Sequence, residues 1–115
     1  MRDVQFSPLV QEKLGQLRER LLLEYSVEKT ESILNGILDD ADNLSLFPQS
    51  GVDISGRYEL DTDYWYLFTH HHYLVYRAVP DQVVIVQMFH EREDFMMKLF
   101  GISGRSQESI DYWGE

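Results

Sequence analysis

The chain contains no cysteine. That excludes a disulfide framework, a thiolate zinc site and a cysteine nucleophile. Long apolar runs are also missing: the longest span a few residues, against the roughly 20 that a membrane-crossing helix needs. The opening run MRDVQFSPLV is mixed and passes at once into polar sequence, unlike a secretion signal. A cytoplasmic location and no membrane partner are therefore expected. Basic residues are scarce. Ten Lys and Arg stand against twenty Asp and Glu, for a formal net charge of −10. Residues 1–56 hold five cations and ten acids, residues 57–102 four and seven, and the tail one and three. No segment is basic, and a chain charged this way repels phosphate backbones at a distance.

What is present is ordinary for one globular domain. The 115 residues are 43% hydrophobic and include six Phe, seven Tyr and two Trp, enough to build a core and too many for disorder. There is no internal repeat. The sequence divides into a helical front half, a strand-rich back half, together a domain over 1–102, and a polar tail over 103–115.

Residues 3–6 suggest a short strand. Ser7-Pro8 then reads as an N-cap followed by proline at the first helical position. Leu9, Val10, Leu14, Leu17, Leu21 and Leu22 recur at helical spacing up to about Tyr25, with Glu12, Lys13, Arg18, Glu19 and Arg20 on the other face. Ser26 is a second N-cap, and Ile33, Leu34, Ile37, Leu38, Ala41 and Leu44 continue the period until Phe47-Pro48 ends it. So short a connection makes the helices antiparallel neighbours. Residues 48–57 read as a loop. Alternation over 64–69, then YLVYRAV at 73–79, a turn at 80–82 and VVIVQMF at 83–89 give three strands joined as an antiparallel meander. Phe95, Met96, Leu99 and Phe100 suggest a short final helix that Gly101 stops, with Asp94 as its cap. The pattern is α+β: an N-terminal antiparallel helix hairpin packed on a three- to four-stranded antiparallel sheet, with a short C-terminal helix.

Three stretches together resemble one family. FSPLVQEKL at 6–14, ILDDADNLSLFPQSG at 37–51 and HYLVYRAVPDQVVIVQMFHERED at 72–94 are similar to the RelE/ParE toxin superfamily of bacterial type II toxin–antitoxin modules. The resemblance covers about residues 4–100. It implies the same fold, a cognate antitoxin protein as partner, no cofactor, and one of two targets. Some members cleave messenger RNA on the ribosome, and others poison DNA gyrase without being nucleases. Direct nucleic-acid binding away from a ribosome is not expected of so acidic a chain.

RNA cleavage needs a base for the 2′-hydroxyl, an acid for the leaving group and cations on the phosphorane. If the chain is a nuclease, the resemblance makes His90 the acid or base and Arg77 and Arg92 the phosphate clamps. Tyr73, however, stands where many cleaving members carry arginine. The ending His90-Glu91-Arg92-Glu93-Asp94 also suits gyrase-directed members, or a solvated junction of local ion pairs. The expectation is a toxin acting on a protein target such as gyrase, with an mRNA endoribonuclease and a non-toxic interaction module as the alternatives. Trp65, Tyr73, Phe95 and Phe100 are candidates for binding antitoxin or target, through an aromatic sheet face suited to strand addition or a docked helix.

His70-His71-His72 reads as a polar hairpin turn. Alternate histidines could share a metal, but two are too few for a closed site, and no metal is expected. Asp39, Asp40 and Asp42, at a helix end where acid opposes the dipole, read as a solvated face. Ile110, Tyr112 and Trp113 are the apolar exceptions in the tail.

Overall fold

The computed structural model describes residues 2–101, so the tail residues Ile110, Tyr112 and Trp113 lie outside the described residues. The element order is β1 (Asp3–Phe6), α1 (Pro8–Glu24), α2 (Val27–Asp42), a 3-10 turn (Asn43–Ser45), β2 (Val52–Asp53), α3 (Ile54–Tyr58), β3 (Trp65–Thr69), β4 (His72–Ala78), β5 (Gln82–His90) and α4 (Phe95–Phe100). The fold is α+β, with the helix hairpin, sheet and final short helix in the expected order.

Local chemistry sets the helix ends. Ser7 Oγ accepts from the Val10 N–H at 3.2 Å, with Pro8 in the first turn where its missing N–H is harmless. Ser26 Oγ accepts from the Lys29 N–H at 3.1 Å, so only Tyr25 and Ser26 separate α1 from α2. Asp94 caps α4 through the Met97 N–H, and Gly101 ends it at φ 74°, a left-handed conformation that glycine adopts without a Cβ penalty.

The sheet has five strands in the order β1-β5-β4-β3-β2. β1 is the short strand expected at 3–6, and the sheet exceeds the expected three to four strands through β2, a two-residue edge strand. β1 pairs with β5 in parallel, while the other pairs are antiparallel. The segment expected as a plain loop at 48–57 contains β2 and most of α3. Tyr76 pins it: its hydroxyl donates to the Pro48 carbonyl at 2.7 Å and accepts from the Gly51 N–H at 3.2 Å. Gly51 approaches the Tyr66 carbonyl so closely that a Cβ would collide with it.

Two apolar layers cover the sheet. On one face, Val10, Leu17, Leu34, Ile37, Ala41 and Leu44 of the helical half pack against Leu74, Tyr76, Val83, Ile85 and Met88. On the other, Ile54 of α3 and Phe95 and Met96 of α4 pack against Val75 and Phe89, with Tyr64, Tyr66, Tyr73 and Phe100 around them.

One irregularity decides which residues face which layer. In the β4–β5 register, Val75 pairs with Gln87 and Tyr76 pairs with Ile85, so Val86 is an extra residue. Such a bulge flips the side-chain alternation along its strand. Val83 and Ile85 face the helices, and beyond the bulge so does Met88, while Phe89 goes to the aromatic layer. The displaced polar groups find partners from α1. Ser7 Oγ donates to the Val86 carbonyl at 3.2 Å, and Lys13 Nζ donates to Gln87 Oε1 at 2.9 Å and the Met88 carbonyl at 2.8 Å.

Candidate functional site

The bulge carries His90 to the helix side of the sheet. There it faces His72, its register partner at the start of β4, with ring centroids 5.2 Å apart and the rings perpendicular. Strand alternation puts Leu74, and so His72, on that same side. The two histidines sit at the end of the sheet beside the tip of the α1–α2 hairpin. A cleft opens between them. Its inner part, about 360 Å³, is lined by Lys13, Gln16, Leu17, Arg20, His72, Met88, His90 and Glu93. A wider outer depression of about 920 Å³ adds, among others, Tyr25, Lys29, His70, His71 and Arg92.

The turn that forms the rim is strained. His70 and His71 are the two central residues of the β3–β4 hairpin, and both have positive φ, 47° and 66°. A tight hairpin turn asks for that conformation at both positions, and Asn-Gly meets it most easily. Two histidines adopt it here because neighbouring groups hold them. Thr69 Oγ1 donates to the Asp40 carboxylate and therefore accepts from His70 Nδ1–H at 2.8 Å. His71 Nδ1–H donates to Glu91 Oε2 at 2.9 Å. Gly36 leaves room on α2 for the His70 ring, which a Cβ there would touch. Asp40, expected on a solvated helix face, is thus an anchor for the turn.

His72 belongs to the strand and is buried, 7% exposed. Its Nδ1–H donates to the His70 carbonyl at 2.8 Å, which leaves Nε2 as the free lone pair. Burial pushes its pKa below the usual histidine value, and nearby His90, Arg20 and His71 add to the effect against the His70 bond. His90 Nδ1 accepts from the Arg92 N–H at 3.1 Å, so its proton in the neutral ring is on Nε2. Partial burial works to raise the pKa of Glu93. Bonds from Lys98 Nζ at 2.6 Å and the His90 N–H at 2.9 Å outweigh it and hold the carboxyl below its usual range.

Of the residues singled out for nuclease chemistry, His90 and Arg92 come together at this cleft. Arg77 does not. It pairs with Val84, five residues along β4 from His72, or roughly 16 Å at strand rise. It lies beside the Tyr64 ring on the aromatic side, and its guanidinium donates to Asp63 Oδ2 at 2.6 and 3.1 Å. The candidates for protein binding are also divided. Tyr73, Phe95 and Phe100 share the aromatic layer, where Tyr73 and Phe95 stack at 4.6 Å. Trp65 packs into the helix-side core, 6.5 Å from Tyr76. Among the described residues no group of three or more His, Asp or Glu is placed to hold a metal ion, and no helix is long and apolar enough to cross a membrane.

Sequence reasoning missed Arg20 and Lys29. They sit on the exposed faces of two helices, 60 or more residues from His90, and nothing local marks them. The bulge at Val86 would have been the signal, but a continuous β-branched strand conceals it.

The fold compares well with a solved structure described as the chromosomal ParDE toxin–antitoxin system from P. aeruginosa. The TM-score is 0.65 at 13% identity, covering 78% of this chain and 96% of that one. No curated protein matches the sequence. The family model for the ParE toxin of the type II toxin–antitoxin system parDE matches residues 4–95, which is most of the described chain, and so the chain belongs to the ParE toxin family.

Proposed function

We propose that the chain is the toxin of a type II toxin–antitoxin pair, held inactive by a cognate antitoxin and acting on a protein target such as DNA gyrase. The observation that carries the choice of target is the separation of Arg77 from His90. The two lie on opposite sides of the sheet, and Arg77 is occupied by Asp63. A nuclease needs its acid, base and cations around one phosphorane. The aromatic layer supports the same reading, since Tyr73, Tyr66, Phe95 and Phe89 fill it with rings.

An endoribonuclease remains the second reading because His90 shares its cleft with Arg20 and Arg92. Inducible expression in bacteria, with and without the neighbouring small reading frame, tests the toxin role. Growth arrest relieved by that frame is expected. During arrest, transcripts should stay intact, and the purified chain should inhibit supercoiling by gyrase. Transcripts cut at discrete sites with unimpaired supercoiling would instead establish the nuclease. Harmless expression would leave an interaction module that has kept the fold.

A further inference from the structure

β1 ends at Phe6, opposite Ile85, so beyond Ile85 no strand lies on that side of β5 among the described residues. An open edge of this kind presents backbone groups without strand partners and leaves the register less firmly fixed. Side chains occupy it instead. Ser7 Oγ, at the cap of α1, donates to the Val86 carbonyl at 3.2 Å. Lys13 Nζ donates to the Met88 carbonyl at 2.8 Å and to Gln87 Oε1 at 2.9 Å, and Gln87 Oε1 also accepts from the Met88 N–H at 3.1 Å. The same ammonium lies 4.6 Å from the centroid of the Phe89 ring. One side chain thus grips three successive residues, Gln87, Met88 and Phe89, just past the bulge.

The strand has a second register within reach. Without the bulge, the pairing of Tyr76 with Ile85 would continue as Val75 with Val86, Leu74 with Gln87, Tyr73 with Met88 and His72 with Phe89. Met88 and Phe89 would exchange sheet faces. Both faces are apolar, so the hydrophobic pattern does not choose between the registers. Gln87 does choose. In the slipped register its amide would enter the helix-side core opposite the fully buried Leu74, away from the Lys13 ammonium. His90 would cross to the aromatic side.

We propose that Lys13, acting through Gln87, is the positioning residue that selects the bulged register of β5, and so places His90 in the cleft and Phe89 in the aromatic layer. Bulges beside functional sites re-aim side chains in this way. Here the register is held from α1, some 70 residues before the strand it sets. The slip would alter the cleft and the aromatic layer at once, so the proposal names no target. Only its consequence for growth inhibition rests on the toxin reading.

Ring contacts measured by NMR on the isotope-labelled full chain test it. The unaltered chain should show His72 against His90, whose ring centroids are 5.2 Å apart. Lys13→Arg keeps a cationic donor and should show the same contact. Lys13→Met keeps the flexible apolar stem and loses the donors, and Gln87→Leu makes the slipped register apolar throughout the core. The double variant should show His72 against Phe89. Deleting Val86 as well removes the spare residue while the downstream pairs keep their partners, so the His72–His90 contact should return. Lys13→Met alone should show both sets of contacts, which decides the matter if the double variant does not fold. A role confined to stability would lower the urea midpoint and leave the ring contacts unchanged. The His72–His90 contact alone in every folded variant would therefore overturn the proposal. A slipped double variant should also lose growth inhibition, and full inhibition by it would overturn the link to function. Harmless expression of the unaltered chain would instead defeat the toxin reading, with the ring contacts still deciding the register.

Discussion

At its Arg77 end the β4–β5 pair is tied from several directions. Val79 and Gln82 exchange backbone bonds across the turn at 2.9 and 3.3 Å, Arg2 Nε reaches the Val79 carbonyl at 2.9 Å, and Tyr76 holds the 48–51 loop. At its His90 end the pair lies against the left-handed histidine turn that joins β3 to β4, beside the cleft that Arg20, Lys29 and Arg92 help to line. The hydrogen bonds at the first end join segments distant in sequence and so stabilise the fold. The second end keeps strain, which a fold has no reason to keep for stability alone. Substitutions in the ties at the Arg77 end should therefore lower stability, and relieving the turn at the His90 end should raise it.

The largest effect should come from Gly51→Ala. The added Cβ meets the Tyr66 backbone carbonyl and lies 2.6 Å from the Tyr76 hydroxyl. Backbone cannot swing aside as a side chain can, so a loss of about 1–3 kcal/mol is expected in urea unfolding. Tyr76→Phe removes the donor to Pro48 and the acceptor for Gly51, at a cost of about 1–2 kcal/mol. Burial pushes the Tyr76 pKa up to about 12 despite the Gly51 bond, so the hydroxyl keeps its proton through the neutral range. If both were silent in unfolding, the Arg77 end would not be the anchor.

The His90 end should show itself in pH dependence. The folded-state pKa of His72 lies below 6.5, so the unfolded chain binds this proton more readily. Stability from this group is then fully present above pH 6.5 and is lost as pH falls through the lowered value. The urea midpoint should drop with acidification across that window. His72→Asn retains an amide able to donate to the His70 carbonyl and cannot titrate, so it should flatten that part of the profile. An unchanged profile in this variant would assign the acid sensitivity elsewhere.

Much of the fold could be read in advance. Ser7-Pro8, Ser26, Asp94 and Gly101 act within a few residues of themselves, and their caps lie where the sequence put them. The helical spacing of Val10, Leu17, Leu34 and Ile37 announced the core. β1 was legible as a short strand, but its parallel pairing with β5 was not. β2 and α3 were hidden because they are short and the 48–51 loop before them depends on the distant Tyr76. The site was legible only in fragments. His90 and Arg92 are adjacent in sequence, and the histidine run was visible as a turn. Grouping them with Arg20 and Lys29 depends on one extra residue in β5, whose only sequence trace is another valine.

Replacing His70-His71 by Asn-Gly should measure the strain of the turn. The new pair adopts positive φ more readily, so the hairpin should gain about 1 kcal/mol, read as a higher urea midpoint. The gain is reduced by losing the bonds of His70 to Thr69 and His71 to Glu91. A lower midpoint would mean that these bonds outweigh the strain of the turn.

The smallest expected change, Arg77→Ala, bears most directly on the target. Its pair with Asp63 is largely solvent-exposed at both partners. Exposed pairs contribute about 0–1 kcal/mol, so the stability change should be close to the limit of detection. Removal also lifts the guanidinium from the Tyr64 ring, 6.0 Å from its centroid, a further small loss of packing. Growth inhibition should survive, because Arg77 sits on the opposite side of the sheet from His90 and is already occupied by a carboxylate. A nuclease with Arg77 as its phosphate clamp would behave otherwise: loss of a cation that stabilises a developing charge costs orders of magnitude in rate. Abolished toxicity in a variant of unchanged stability would therefore mean that Arg77 leaves Asp63 for an RNA phosphate, and the contrast between the two strand ends would have to be redrawn around a site on the aromatic side.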